Sequence, residues 1–333
     1  MENKAKVYFV KLNELEKIRS VLPQFEGKLG LKCHFGEEGN DAFVSADLIK
    51  QIASMVNYPP MLETTVLYRG SRSNASSHKE VARKHGFDFA DIDILDGEEG
   101  DNSLEIEMSR ENKNGEAKTY FLGKNLENYD SLLVISHFKG HIAAGFGGAI
   151  KNLSMGLAAR RGKLDMHAGV KHQVTENECT ICGTCIKNCP VEAISYNENN
   201  KAFIDQEKCI SCSKCIAVCP IQAIHIPWGT TVEDDFKNSL AEYAQAAIKG
   251  KNCFYVNFLT NIVPQCDCMG ISQTPMCDDI GVLISSDPVA IDQASFDMIT
   301  KHCEEFKHYN GEQTLIHGEK IGLGSRAYEI KEI

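Results

Sequence analysis

Two cysteine runs carry the clearest chemistry in this chain. Cys179-Thr-Ile-Cys182-Gly-Thr-Cys185-Ile-Lys-Asn-Cys189-Pro190 is followed by Cys209-Ile-Ser-Cys212-Ser-Lys-Cys215-Ile-Ala-Val-Cys219-Pro220. Each reads C-x2-C-x2-C-x3-C-P. Three cysteines at this spacing wrap a tight loop around three corners of a 4Fe–4S cube, and the fourth, on a following helical turn, reaches the other cube. Cys179, Cys182, Cys185 and Cys219 are therefore the expected ligands of one cluster. Cys209, Cys212, Cys215 and Cys189 are those of a second. Ala193-Ile194 recurs as Ala223-Ile224, so the whole unit is an internal duplication. Zinc knuckles also use C-x2-C pairs, but zinc needs only four ligands and has no use for a doubled x3-C-P ending. The chemistry expected is storage and relay of single electrons.

This unit resembles the bacterial two-cluster ferredoxins. The rest of the chain lies on both sides of it, and the expected organisation is an α/β domain in two parts, residues 1–172 and 230–333, with a ferredoxin-like α+β unit inserted at 173–229. Strand-like segments are Lys6–Lys11, Leu29–Phe35, Thr64–Tyr68, Ser103–Met108, Thr119–Leu122 and Leu132–His137, and later Cys253–Leu259, Gly281–Ile284 and Ala327–Ile330. Helical spacing marks Ser45–Val56, Ser77–His85, Val232–Lys249 and Pro288–Phe306. Strands alternating with helices predict a largely parallel sheet. No Pro/Gly/Ser-rich linker brackets the cysteine runs, which favours a docked insertion over beads on a string.

The flanks are similar to the family catalogued as domain of unknown function 362, in its iron–sulfur-containing branch. The matching stretches include Lys32-Cys-His-Phe-Gly-Glu-Glu-Gly-Asn40, Ser136-His-Phe-Lys-Gly-His141, Gly145-Phe-Gly-Gly-Ala-Ile-Lys-Asn152, Cys266-Asp-Cys268 and Ser286-Asp-Pro-Val-Ala-Ile-Asp-Gln-Ala294. The resemblance implies a ferredoxin-like insertion and names no reaction. A narrower likeness joins His137, Gly147, Gly148 and Lys151 to a Gly-Gly-x-Lys stretch of the nickel-pincer lactate racemases. The spacing departs by one residue, and no catalytic residue follows from it.

Outside the cysteine runs, the richest stretch is Ser136–His172. Here a buried strand is expected to end in His137, Lys139 and His141, followed by glycines and cations. α/β proteins place ligands at such strand ends. Gly145, Gly147, Gly148, Lys151 and Asn152 are the candidate cofactor-binding residues, because glycines admit an anion to backbone N–H groups and a helix N-terminus adds positive potential. The competing reading is a plain glycine turn. His137, His141 and Lys151, with His34 after the second strand, are the candidate catalytic groups. Glu37 could serve as a base, or the loop around it could be a solvated turn. Cys33 should point away from His34 into the core. Cys266 and Cys268 could chelate an additional metal if the chain is extended there, with Cys277 and Asp267 or a histidine completing the set; small buried thiols are the bland alternative. Asp287-Pro288 reads as a helix cap, and Asp292 could face a pocket one turn on. Arg69 and Arg72 could bind an anion. His302, His308 and His317 read as surface residues.

The 333 residues carry a formal charge of −11, which argues against nucleic-acid binding. No apolar run is long enough to span a membrane, and no signal peptide is evident. With 14 cysteines and clusters of this kind, a cytoplasmic, anaerobic setting is expected. Nucleotide motifs G-x-G-x-x-G and G-x4-G-K-[ST] are missing where they would matter; a flavin would leave no short motif. Two 4Fe–4S clusters, an electron donor or acceptor protein and a small-molecule substrate are the expected cofactors and partners. An iron–sulfur oxidoreductase is favoured. A non-catalytic ferredoxin-type carrier with a docking domain, or a metal- or cofactor-assembly protein, are the alternatives.

Overall fold

A computed structural model describes all residues except 1–3, 68–69, 112–116, 142, 168–171, 190, 210–214, 216–217, 222, 226–232 and 269. Eight strands form one sheet in the order Tyr328–Glu332, Ala5–Val10, Gly281–Ser285, Asn252–Leu259, Ser131–His137, Leu29–Lys32, Met61–Glu63, Ile92–Ile94. Gly281–Ser285 runs antiparallel to both neighbours, and the other pairings are parallel. The expected α/β architecture with a largely parallel sheet is what forms. Every residue of Ser131–His137 is buried, as a central parallel strand covered on both faces requires. Leu132 and Val134 enter one core with helices Ala149–Leu157, Glu233–Ala247 and Pro288–His302. Leu133 and Ile135 enter the other with helices Ala46–Ser54 and Ala75–Lys84.

Helix starts follow local chemistry. Asn74 Oδ1 accepts from Ser77 N at 2.9 Å, and Asp287 Oδ1 accepts from Val289 N and Ala290 N at 2.9 Å each, with Pro288 in the first turn. The Asp287-Pro288 pair is thus the helix cap that its sequence suggests.

Several elements differ from the sequence expectation. The strand expected at Thr64–Tyr68 lies earlier, at Met61–Glu63, and Tyr68 is outside the described residues. The strand expected at Leu29–Phe35 ends at Lys32. Ser103–Glu111 and Ala117–Gly123 pair with each other as a hairpin apart from the main sheet. The helix expected to reach Phe306 stops at His302 and resumes as a short turn at Glu304–His308. The helix expected after the glycine loop forms at Ala149–Leu157, whereas strand Ile92–Ile94 and helices Arg160–Met166 and Glu312–Lys320 were not anticipated from the sequence.

The cysteine-rich stretch has its own small pairings, Gln173–Val174 with Ile224–His225 and Ile194–Tyr196 with Ala202–Ile204. It also has its own apolar cluster, built from Ile194, Ala202, Ile204, Ala223 and Ile224 together with cysteines. The strands on either side of it in sequence are neighbours in the main sheet, with Asn257 opposite Ser136 and Phe258 opposite His137.

One buried carboxylate ties two of the covering helices to the sheet. Asp292 accepts from Ala149 N at 2.7 Å, Ile150 N at 2.9 Å and Asn257 Nδ2 at 2.7 Å. Burial pushes its carboxyl up to about 6, against the pull of these donors. Asp292→Ala strands three buried donors and should cost about 3 kcal/mol of stability. Chemical denaturation measures this; a change within about 0.5 kcal/mol would show that the donors find other partners.

Candidate functional site

The parallel strands Leu29–Lys32, Met61–Glu63 and Ser131–His137 all end at one edge of the sheet. A cavity of about 430 Å³ opens just beyond those ends, the position where open α/β sheets hold ligands. His34 and Glu63 line it from the first two strand ends, and Ser136, His137, Lys139 and His141 from the third. Gly147, Gly148, Lys151 and Asn152 line it from the glycine loop and the helix that follows, and Ile224 and His225 from the cysteine-rich stretch.

Asp267 organises one side. Its carboxylate accepts from His137 Nδ1 at 2.8 Å and from Lys139 Nζ at 2.9 Å. Burial would raise this carboxyl, but His137 and Lys139 hold it well below the usual range. His137 Nε2 meets the carbonyls of Thr260 and Asn261 at 3.0 and 3.1 Å. Both ring nitrogens are thereby engaged, so His137 positions the loop rather than offering a nitrogen to a ligand. Asp267 is engaged in the same way, one oxygen on His137 and the other on Lys139.

Residues 266–268 form a turn, not the extended chain on which the Cys266–Cys268 expectation rested. The turn still brings the thiols together: Cys268 N donates to Cys266 Sγ at 3.4 Å, and Lys151 Nζ lies 3.4 Å from the same sulfur. The Cys268 thiol and the Lys151 ammonium hold Cys266 well below its ordinary value despite burial. The same contact raises Cys268, and the Lys151 ammonium stands on the Cys266 side of the pair. His141 completes the group. One donor atom each from His141, Cys266 and Cys268 lies within 4.8 Å of the others. Backbone N–H groups of Ala143 and Ala144 donate to His141 Nδ1 at 3.1 and 3.0 Å and orient the ring. One nitrogen and two sulfurs could hold a thiophilic ion such as zinc. Cys277 lies beside Cys303 instead.

The glycine loop works differently from its expectation. The N–H groups of Ala149 and Ile150, which would greet an anion, are filled by Asp292. Gly148 is needed because a Cβ there would come 2.4 Å from Asp292 Oδ1. Gly145 stands off the cavity lining. It sits at φ +79° and packs against the backbone of Asn310 and Gly311, so its role is close approach of two chain segments. Asn152 spends its amide on Ile135 O and Ser136 Oγ, at 2.9 and 3.0 Å.

On the opposite side, Lys32 is fully buried and donates to Glu63 Oε1 at 2.5 Å. Glu37 accepts from Arg72 Nε at 3.0 Å, so the expected acidic base is part of an ion pair. His34 Nδ1 lies 3.4 Å from Arg72 Nη1 and 3.5 Å from Glu63 Oε1, and burial and Arg72 lower its pKa. Cys33 is core, as expected, with its thiol pushed up by burial. Arg69 lies outside the described residues. His302 and His308 are exposed as expected, whereas His317 is half-buried, with Nε2 3.1 Å from Glu242 Oε1.

The cysteine-rich stretch brings Cys179, Cys182, Cys185 and Cys219 to the lining of one void, whose wall includes Ile224. Cys189, Cys209 and Cys215 lie in or against the same small apolar cluster, and Cys212 is outside the described residues. Ala193 N donates to Cys189 Sγ at 3.2 Å.

The family model described as domain of unknown function (DUF362) matches residues 29–297. The chain belongs to this family. No curated protein matches this DUF362 chain. Among solved structures, the lactate racemase apoprotein from Thermoanaerobacterium thermosaccharolyticum is similar to it, with 11% identity and a TM-score of 0.44. The match covers 91% of this chain and 58% of that one, so the DUF362 chain spans little more than half of that protein's length.

Glu63 escaped the sequence reading of this DUF362 chain, hidden by a strand shifted along the sequence. Lys163 and His167 belong to the stretch Ser136–His172 that was singled out, and both line the cavity. His167 stacks on Phe236 with ring centroids 4.7 Å apart, and burial, with His141 and Lys151, lowers its pKa to about 4.

Two tests follow from this geometry. Asp267→Ala leaves His137 and Lys139 without their carboxylate and should lower stability by about 3–5 kcal/mol; an unchanged denaturation midpoint would show that the bridge does not hold the loop. Cobalt(II) added to the anaerobic protein should give a thiolate charge-transfer absorption that Cys266→Ser abolishes. Equal absorption in the variant would remove Cys266 from the donor set.

Proposed function

We propose that this protein is an iron–sulfur oxidoreductase: two 4Fe–4S clusters held by residues 173–229, a ferredoxin-like insertion, serve a small molecule bound in the cavity at the sheet edge. The observation that carries this reading is the shared wall. Ile224 lines both the void surrounded by Cys179, Cys182, Cys185 and Cys219 and the cavity that contains His141, Cys266 and Cys268.

The residues fit the clusters. Cys179, Cys182 and Cys185 come from a loop bent through left-handed backbone at Ile181 and Gly183, with Cys185 on the short helical turn Thr184–Lys187, and Cys219 from the second run lines the same void. The sequence supplies the same set a second time. When bound, such clusters store and pass single electrons. The protein's own residues do the rest. Ile224, with the strand pair Gln173–Val174 and Ile224–His225 behind it, separates the two chambers by one side chain. The cysteines and His141 offer donors to a metal or to a reacting group, Lys151 lies against the Cys266 sulfur, and Cys266 itself is buried. A dedicated α/β domain with its own cavity favours catalysis over simple carriage, because a carrier needs only the cysteine-rich unit.

Anaerobically purified protein should contain about eight irons and eight acid-labile sulfides per chain. Cys182→Ser should lose about half of them while the melting of the α/β domain is kept. Wild-type protein free of iron and sulfide after anaerobic reconstitution, or full iron content in the variant, would overturn the assignment.

A further inference from the structure

Four cationic side chains line the cavity of a protein whose formal charge is −11. Arg72, Lys139, Lys151 and Lys163 line it, and among the described lining residues the only carboxylate is Glu63. Glu63 is already bonded to Lys32 at 2.5 Å. Arg72 has Glu37, Lys139 has Asp267 and Lys151 has the Cys266 sulfur. Lys163 differs. It is buried, 7% exposed, and its Nζ donates to Thr64 Oγ1 at 2.5 Å and to Ala158 O at 2.7 Å, both neutral acceptors. An ammonium has three N–H donors, so one remains at the cavity. His34 Nε2 is a second buried atom with no hydrogen-bond partner among the described residues. It is a donor in the tautomer in which Nδ1, 3.4 Å from Arg72 Nη1, accepts from that guanidinium. His34 lies beside Glu63 and Arg72, and Lys163 is bonded to Thr64, the residue that follows Glu63.

We infer that this side of the cavity binds the oxyanion group, carboxylate or phosphate, of a small molecule, which accepts from Lys163 Nζ and His34 Nε2. The inference deepens the reading of the cavity as a small-molecule site. The Lys32 contact neutralises Glu63, so the carboxylate does not repel the anion. A cavity of about 430 Å³ takes a compact organic anion and leaves its far end beside His141, Cys266 and Cys268. The environment of Lys163 agrees. Burial, with Lys32 and Arg72, lowers its pKa to about 8 against the pull of Asp96 and Glu63, and His78 also lies within its field. A bound anion stabilises the charged form that burial disfavours.

Calorimetric titration of the anaerobic full-length protein with malonate, inorganic phosphate and uncharged malonamide tests this. One or both anions should bind and malonamide should not; the preferred anion identifies the group as carboxylate or phosphate. Lys163→Met should weaken anion binding roughly 10- to 100-fold, while Lys307→Met, at an exposed lysine, leaves it unchanged. Above about pH 8 the wild-type affinity should fall, because Lys163 must then take up a proton before the anion can pair with it. Binding of malonamide as tightly as malonate, no binding of either anion, or unchanged affinity in a folded Lys163→Met protein would overturn the inference. If that variant does not fold, the wild-type comparison of anion with amide and its pH dependence decide. Iron and sulfide are counted in the same samples. Absent iron would sink the redox reading, and the anion titration, which needs no turnover, would stand separately.

Discussion

The candidate site depends on the buried carboxylate of Asp267. It lies about as far from His137 in sequence as a small domain is long, yet it takes both the Nδ1 of His137 and the ammonium of Lys139. Its own carbonyl accepts from Glu37 N at 3.1 Å. One residue therefore fastens three loops: the end of strand Ser131–His137, the loop after Leu29–Lys32 and the turn bearing Cys266 and Cys268. A buried ion pair is costly to assemble and more costly to break. Here it fixes which way the flanking thiols point.

The charge arrangement around the cavity follows a similar logic. Cations gather at the carboxyl ends of parallel strands, and most are matched by a carboxylate from a distant segment: Lys32 by Glu63, Arg72 by Glu37, Lys139 by Asp267. Such pairs hold the loops in register alongside the apolar anchors Cys33, Phe35 and Phe138. They also leave the unmatched donors conspicuous.

Much of this was legible in the sequence. The apolar run Leu132–Ile135 announced the central strand, and the polar residues at its end announced the site. The cysteine spacing set apart residues 173–229, and the pair Cys266–Cys268 stood out as a donor set. Other features were illegible for physical reasons. Met61-Leu-Glu63 and Ile92-Asp-Ile94 are three-residue strands, too short to show a period. Ser103–Glu111 and Ala117–Gly123 alternate as strands should, but alternation does not say which partner a strand will choose. The glycine loop looked like an anion cradle because sequence cannot show that Asp292, from a helix far along the chain, fills it. His141 as a third donor depended on a fold that brings residues more than a hundred positions apart into one pocket.

Ile224 and His225 reach the cavity from the cysteine-rich stretch, and no other described part of that stretch lines it. The chamber thus has its floor and its roof on different pieces of chain, whose order has different origins. The floor is held by a large sheet with two apolar cores. The roof rests on a cluster of a few small side chains and the cysteines themselves. The chamber is therefore completed only where the strand pair Gln173–Val174 and Ile224–His225, resting on that small cluster, meets the edge of the large sheet.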